Sequence, residues 1–319
     1  MFSLYQINIL LKFPIKNILH PNISGDIMAE PSKDYTVDEM KTVLMAREVR
    51  NDDVMIVGVA TPCVWAAFTL AKMTHAPNSI FHYIMGNTFV DEPRQVSLLY
   101  LEMNTARAYR FQNSGECTLE SLPSDKLTTI EFFRPAQVDQ YGNTNNICIG
   151  DYNKPKIRLP GCAGIADFSM FYSRGFFLYT PRHDSRTFVP TEKLDFISGV
   201  GFTDGEPSIC GGAGPQSVVT NLAYMDFDDE SKRMRLSSIH SGVDIDLVKE
   251  STGFELIIPK KVQNTNPPTE KEIKILREKV DPLKIRKLEI LSGKEREELL
   301  DDIIQKELKK QNKFPALLI

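Results

Sequence analysis

The chain has 319 residues, enough for one large α/β domain or two smaller ones. Its 42% hydrophobic and 25% charged content is ordinary for a globular protein, and a net charge of −4 with a pI near 5.8 gives no support for binding nucleic acid or an anionic membrane surface. Five widely spaced cysteines (Cys63, Cys117, Cys148, Cys162, Cys210), without a CxxC pair, argue against a disulfide framework and a zinc site, and for a reducing, cytoplasmic compartment.

Residues 1–27 are apolar but broken by Lys12, Pro14, Lys16 and Pro21. Their longest apolar run falls short of the roughly 18–20 residues of a membrane span, no signal-peptidase site follows it, and Met28 opens a more ordinary soluble start. The stretch 1–34 is therefore expected to be a disordered extension, without membrane contact.

Residues 36–50 begin with Thr36 as N-cap and Glu39 three residues on, a capping box, and their apolar spacing predicts an amphipathic helix. The run Val54–Val59 predicts a buried parallel strand, Cys63–Thr74 a helix and Ile80–Ile84 a second strand, together a βαβ unit of a parallel sheet with helices on its faces. The pattern is weak over 91–123. Lys126–Phe133 reads as a strand, followed by a turn at Tyr141-Gly142-Asn143, a strand over Asn146–Gly150, a small-residue loop entering a helix over Gly161–Tyr172, and a strand over Gly175–Thr180.

Six glycines between Gly199 and Gly214 predict a mobile or close-approach loop. Ser217–Asp226 and Met234–His240 are expected as the two strands of a hairpin, and Val243–Thr252 as a short helix ended by Gly253. Asn264–Pro268 is a linker, Thr269–Val280 a helix with a second capping box (Thr269, Glu272), and 284–319 a charged, peripheral helical tail.

Several quoted residues carry a resemblance. Val57-Gly-Val-Ala-Thr-Pro62, Gln137-Val-Asp-Gln-Tyr-Gly-Asn143, Ile149-Gly-Asp-Tyr152, Lys154–Gly161 and Thr252-Gly-Phe-Glu255 resemble the β subunit of family I CoA-transferases, the glutaconate and 3-oxoacid group. The likeness spans Tyr35 to Pro282. It implies an open, mainly parallel α/β sheet flanked by helices over 35–283, acyl-CoA thioesters and carboxylic acids as substrates, no permanently bound cofactor, and an α-like partner subunit in a hetero-oligomer.

The family's nucleophile is a glutamate that becomes a CoA thioester, in a Glu-Ser-Gly context after the strand that follows Ala76-Pro77. Here those positions are Ile84, Met85 and Gly86. An isoleucine cannot be a nucleophile, so the resemblance leaves three readings open. They are a transferase subunit with a relocated nucleophile, a subunit of a ring-opening CoA-thioester hydrolase whose acidic residue lies on the α-like partner, and a non-catalytic thioester-binding or stabilising subunit. The family's oxyanion loop corresponds to Gly161-Cys162-Ala163-Gly164, where Ala163 replaces a glycine; it serves provided the turn needs no positive φ there. Gly86, Gly161, Ala163 and Gly164 are the implied CoA and oxyanion contacts.

Plainer readings attach to the remaining candidates. Asp91 and Glu92 are read as a solvated loop pair, Cys162 as a packing residue, and His75, His82 and His183 as core or surface histidines rather than metal ligands. Tyr141-Gly142-Asn143 is a turn, and Val57–Pro62 lacks the GxGxxG of a nicotinamide site.

Overall fold

The computed structural model of the chain describes residues 30–58, 60–83, 88–90, 95–98, 108, 110–113, 115–116, 128–203, 206 and 210–313. Ile84, Gly86, Asp91, Glu92 and Cys117 lie outside these residues. β1 (Asp53–Val57) is buried along its whole length and lies inside the sheet. It leads to α2 (Pro62–Thr74), which follows α1 (Val37–Arg47) and starts on Pro62, where a missing N–H costs nothing. The chain returns as β2 (Ile80–Tyr83), parallel to β1, with Val54 opposite Ile80 and Val57 opposite Tyr83. The predicted βαβ unit is present.

β3 (Thr88–Val90) and β4 (Arg110–Phe111) extend this side antiparallel. The chain then crosses to the other side of β1 and pairs β5 (Thr128–Phe133) parallel to it, Ile56 opposite Glu131. β10 (Phe176–Tyr179) and β11 (Pro215–Val219) follow in parallel, then β12 (Ala223–Phe227) and β13 (Met234–Ile239) antiparallel. β14 (Gln263–Asn264) closes a sheet ordered β14-β13-β12-β11-β10-β5-β1-β2-β3-β4. Two short ribbons stand apart: β6 (Gln137–Val138) with β7 (Thr144–Asn145), and β8 (Cys148–Ile149) with β9 (Ile157–Arg158).

The span Ser217–Asp226, expected as one strand, is two. Thr220 Oγ1 accepts the N–H groups of Leu222 (3.1 Å) and Ala223 (3.0 Å), which folds β11 back on β12. A hydroxyl that satisfies two amides locally competes with the ladder.

One apolar layer packs α1 and α2 on the sheet through Val43, Phe68, Phe132 and Phe177. The opposite face carries α3 (Ile165–Phe171) and α4 (Ile245–Ser251), with Tyr172, Phe176 and Phe188 in the second layer. α1 is not amphipathic: Asp38, Glu39 and Lys41 are buried with Met40, Val43 and Met45. Its polar side is covered by the C-terminal segment, in which α5 (Glu270–Ile275) runs into a π-helical turn over Leu276–Val280 and a 3₁₀ turn over Ile285–Glu289.

Arg286, 1% exposed, reaches Asp281 at 2.8 Å, Asp38 at 2.9 Å and Glu39 at 3.2 Å. The Asp38 contact is an ion pair without hydrogen-bond alignment. Burial alone would raise the Glu39 carboxyl; hydrogen bonds from Arg277 and the Thr36 N–H, with the charge of Arg286, hold it at about 2. The charged tail is helical as expected, α6 (Gly293–Lys313), and it docks by Ile303, which joins Ile285 and Leu288 in the first layer. At the other end, Ser32 N–H donates to Pro268 O at 2.8 Å and Asp34 pairs with Arg277, so the last residues of the expected extension are held against the C-terminal segment.

Candidate active site

β1, β5 and β10 are parallel neighbours and end at one rim of the sheet. The chain leaves β1 for β2 on one side and re-enters at β5 on the other. This is a topological switch point, where open α/β sheets present a crevice beyond their strand ends.

β1 ends at Val57, Gly58 follows it, and Ala60, at φ 55°, turns the chain toward α2. Thr61 Oγ1 donates to Gly58 O at 3.0 Å. The C-terminal segment enters the rim through Glu289. Its carboxylate accepts the Cys63 N–H at the start of α2 (2.7 Å), Arg134 just past β5 (3.0 Å) and the Tyr179 hydroxyl at the end of β10 (2.8 Å). One acid thus ties the ends of three elements together. Burial first, and Glu289 second, push the Cys63 thiol and the Tyr179 hydroxyl well above their ordinary values, which keeps both neutral.

The loop Gly161–Gly164 belongs to the same rim. Gly161 N–H donates to Asn146 O (3.0 Å), and Asn146 Nδ2 to Arg134 O (3.2 Å) beyond β5. Cys162 O accepts the Ile165 N–H at 2.8 Å as α3 begins. Ala163 has φ 44°, so the condition set from the sequence fails: the turn does use the left-handed region, at a cost of about 1–2 kcal/mol for an alanine. The N–H groups of Ala163 and Gly164 donate to no other described residue. A Cβ at Gly164 would meet the Phe168 ring at 2.4 Å, which explains a glycine at the helix entry. Cys162 is partly buried, its Sγ 3.8 Å from Ala163 O.

The Tyr141-Gly142-Asn143 motif is a turn, as read. Gly142 has φ 77°, Asp139 Oδ1 accepts the N–H groups of Tyr141 and Asn143 at 2.9 Å, and Asn143 Oδ1 accepts the Gly201 N–H at 2.9 Å. The glycine-rich stretch is a close-approach loop where it is described. A Cβ on Gly201 would lie 2.2 Å from Tyr141 O, and one on Gly212 2.3 Å from Met170 O.

The three candidate histidines, His75, His82 and His183, are dispersed. His75 Nε2 lies 3.0 Å from Val49 O, and His82 stacks on Phe89, burial pulling it down to about 4. His183 lies between Thr220 and Thr252 over Phe188, likewise pulled to about 4 by burial.

Sequence reasoning missed Glu131. It lies on β5, 6% exposed, level with the end of β1 and on the α3 side of the sheet. Its Oε2 accepts the Tyr172 hydroxyl at 2.6 Å, and a Cβ on Gly58 would lie 3.0 Å from its Oε1. Burial pushes this carboxyl up to about 8, with the Tyr172 hydrogen bond pulling the other way. The available signal was one acid inside the apolar run Thr128-Thr-Ile-Glu-Phe-Phe133.

Residues 39–251 match the coenzyme A transferase family. The chain belongs to that family. It is 33% identical to the B subunit of the 3-oxoadipate CoA-transferase of Pseudomonas knackmussii over 248 residues, 76% of this chain and 92% of that one. It is 31% identical to the B subunit of the glutaconate CoA-transferase of Acidaminococcus fermentans over 256 residues, 78% of this chain and 93% of that one. The crystal structure of the latter enzyme superposes with a TM-score of 0.69 and 28% identity, covering 83% of this chain and 100% of the matched chain. A shorter match is to the cholesterol ring-cleaving hydrolase IpdB subunit of Rhodococcus jostii. It is 29% identical over 161 residues, 48% of this chain and 60% of that one.

Proposed function

We propose that this chain is the β-type subunit of a hetero-oligomeric enzyme acting on acyl-CoA thioesters, with an α-like partner completing the site. What carries the reading is the near full-length likeness to the B subunits of two CoA-transferases, 92% and 93% of their lengths, on a chain whose loop over 161–164 has two N–H groups that donate to no other described residue. In this reading Gly161, Ala163 and Gly164, with Gly86, approach the thioester, and the free amides hold the oxyanion that forms when its carbonyl is attacked. CoA thioester is a substrate and no resident cofactor or metal takes part. The partners are small acids and the second subunit, not nucleic acid or membrane, and the compartment is cytoplasmic. Among the described residues no helix is long and apolar enough to cross a membrane.

A second reading concerns the chemistry. Ile84 at the expected glutamate position leaves this chain without the usual nucleophile there, and the partial likeness to a ring-cleaving hydrolase subunit supports hydrolysis as the alternative to transfer. The test is co-expression with an α-like partner, then an acyl-CoA panel assayed for acceptor-dependent transfer and for CoA release in water. Transfer without hydrolysis identifies a transferase, and release without an acceptor a hydrolase. Neither reaction, with no binding of acyl-CoA, overturns the proposal.

A further inference from the structure

We infer that Glu131 is the acid–base group of the crevice, a carboxyl that takes a proton from the water attacking an acyl-CoA thioester and returns it to the departing thiolate. This rests on the CoA-thioester reading and deepens it toward hydrolysis.

The first argument is placement. Glu131 stands opposite Ile56, beside the last turn of β1, at the switch point between β1 and β5. The residue above it is Gly58, which carries no side chain; a Cβ there would sit 3.0 Å from Oε1 and press on that oxygen. Any other residue at this position would crowd the carboxyl, and glycine lets the two strands approach without that contact.

The second argument is the company it keeps. The other deeply buried acids are held by an arginine or by backbone N–H groups: Asp53 meets Arg174, Asp281 meets Arg286, Glu39 meets Arg277 and Glu289 meets Arg134, while Asp139 accepts the N–H groups of Tyr141 and Asn143 and Glu307 that of Leu98. Glu131 has no cation among the described residues. Among the described residues the titratable group acting on it is Tyr172, which follows α3, and β1 brings Gly58 beside it. An unpaired acid in an apolar layer destabilises the fold. A Tyr hydrogen bond to Oε2 orients it and leaves Oε1 for a reacting group. Both protonation forms are then accessible near neutral pH, which suits a group that must first accept and then donate a proton.

The step balances with water alone. The ionised Glu131 takes a proton as the water oxygen bonds to the thioester carbon, and the carbonyl pair moves onto oxygen as an oxyanion. The pair returns, the carbon–sulfur bond breaks, and the CoA thiolate takes the proton from Glu131. A carboxylic acid and free CoA leave, and Glu131 ends ionised as it began.

The experiment uses the co-expressed complex and a thiol reagent to follow CoA release from the acyl-CoA panel between pH 6 and 9.5. For wild type the rate should climb with pH along a limb centred near 8. E131Q should lose about 10²–10⁴-fold in kcat, with KM within about twofold, and keep or raise its melting temperature. Y172F should move the limb to higher pH, because the lost hydrogen bond favours the ionised form. Wild-type activity with E131Q releasing CoA at the same rate and along the same limb overturns the inference alone. If E131Q does not assemble, an unmoved limb in Y172F overturns it equally. A wild-type complex that neither transfers nor releases CoA defeats the thioester reading beneath it.

Discussion

Arg286→Met removes the cation shared by Asp38, Glu39 and Asp281, and the cost follows from the geometry. Arg286 is 1% exposed and its guanidinium lies within 3.2 Å of all three carboxylates. Arg277 remains beside Glu39 at 2.7 Å, so the loss falls mainly on Asp281 and Asp38. Removing one partner of a buried pair leaves an uncompensated charge and costs about 3–5 kcal/mol. For a chain of this size that is a fall in melting temperature of roughly 4–8 °C.

The deficit should depend on pH. Burial already raises the Asp281 carboxyl against the pull of Arg286. Without the arginine it rises further. An acid raised in the folded state contributes its full stability below its unfolded value and loses it as pH rises through the folded one. R286M should therefore be less impaired at pH 5 than at pH 8, and D281L added to it should restore part of the loss. Scanning calorimetry of the assembled complex at both pH values measures this. A variant within 2 °C of wild type at both, or one worse at pH 5, would refute the reasoning.

Two other outcomes are expected. Ala163→Gly relieves the left-handed alanine at φ 44° and, after the entropy of glycine, should stabilise by about 0.5–1 kcal/mol, read as a higher melting temperature without loss of acyl-CoA binding. Ending the chain after residue 283 removes Ile285, Leu288 and Ile303 from the first apolar layer. At about 1.5–3 kcal/mol each, their loss approaches the whole stability of a domain, so no soluble complex should form; a complex melting like wild type would show that the tail is only peripheral.

Much was legible in the residues themselves. β1 announces itself as a β-branched apolar run and β2 as a short run of Ile and aromatic residues, and Pro62 marks the start of α2. Thr269 and Glu272 form their capping box, with Thr269 N–H to Glu272 Oε2 at 2.7 Å, and Gly142 takes the positive φ its turn requires. Each of these is settled within a few residues of chain, by steric limits and local hydrogen bonds. Family membership was legible for a related reason, because the turns and loops stand in a fixed order along the sequence.

What the sequence left open was decided by contacts between distant residues. The spacing of α1 reads as amphipathic, yet Arg277 and Arg286, more than 230 residues on, cover Asp38 and Glu39 and turn a solvent face into a core face. Ala163 reads as a tolerable replacement because a sequence does not state a φ angle. Glu131 reads as one acid in a strand; only the pairing of β5 beside β1 places it against Gly58, and only the docking of α3 brings Tyr172 to its oxygen. Periodicity records which faces a segment has. What lies against each face depends on where the rest of the chain packs, and that same packing sets the charge state of every buried acid.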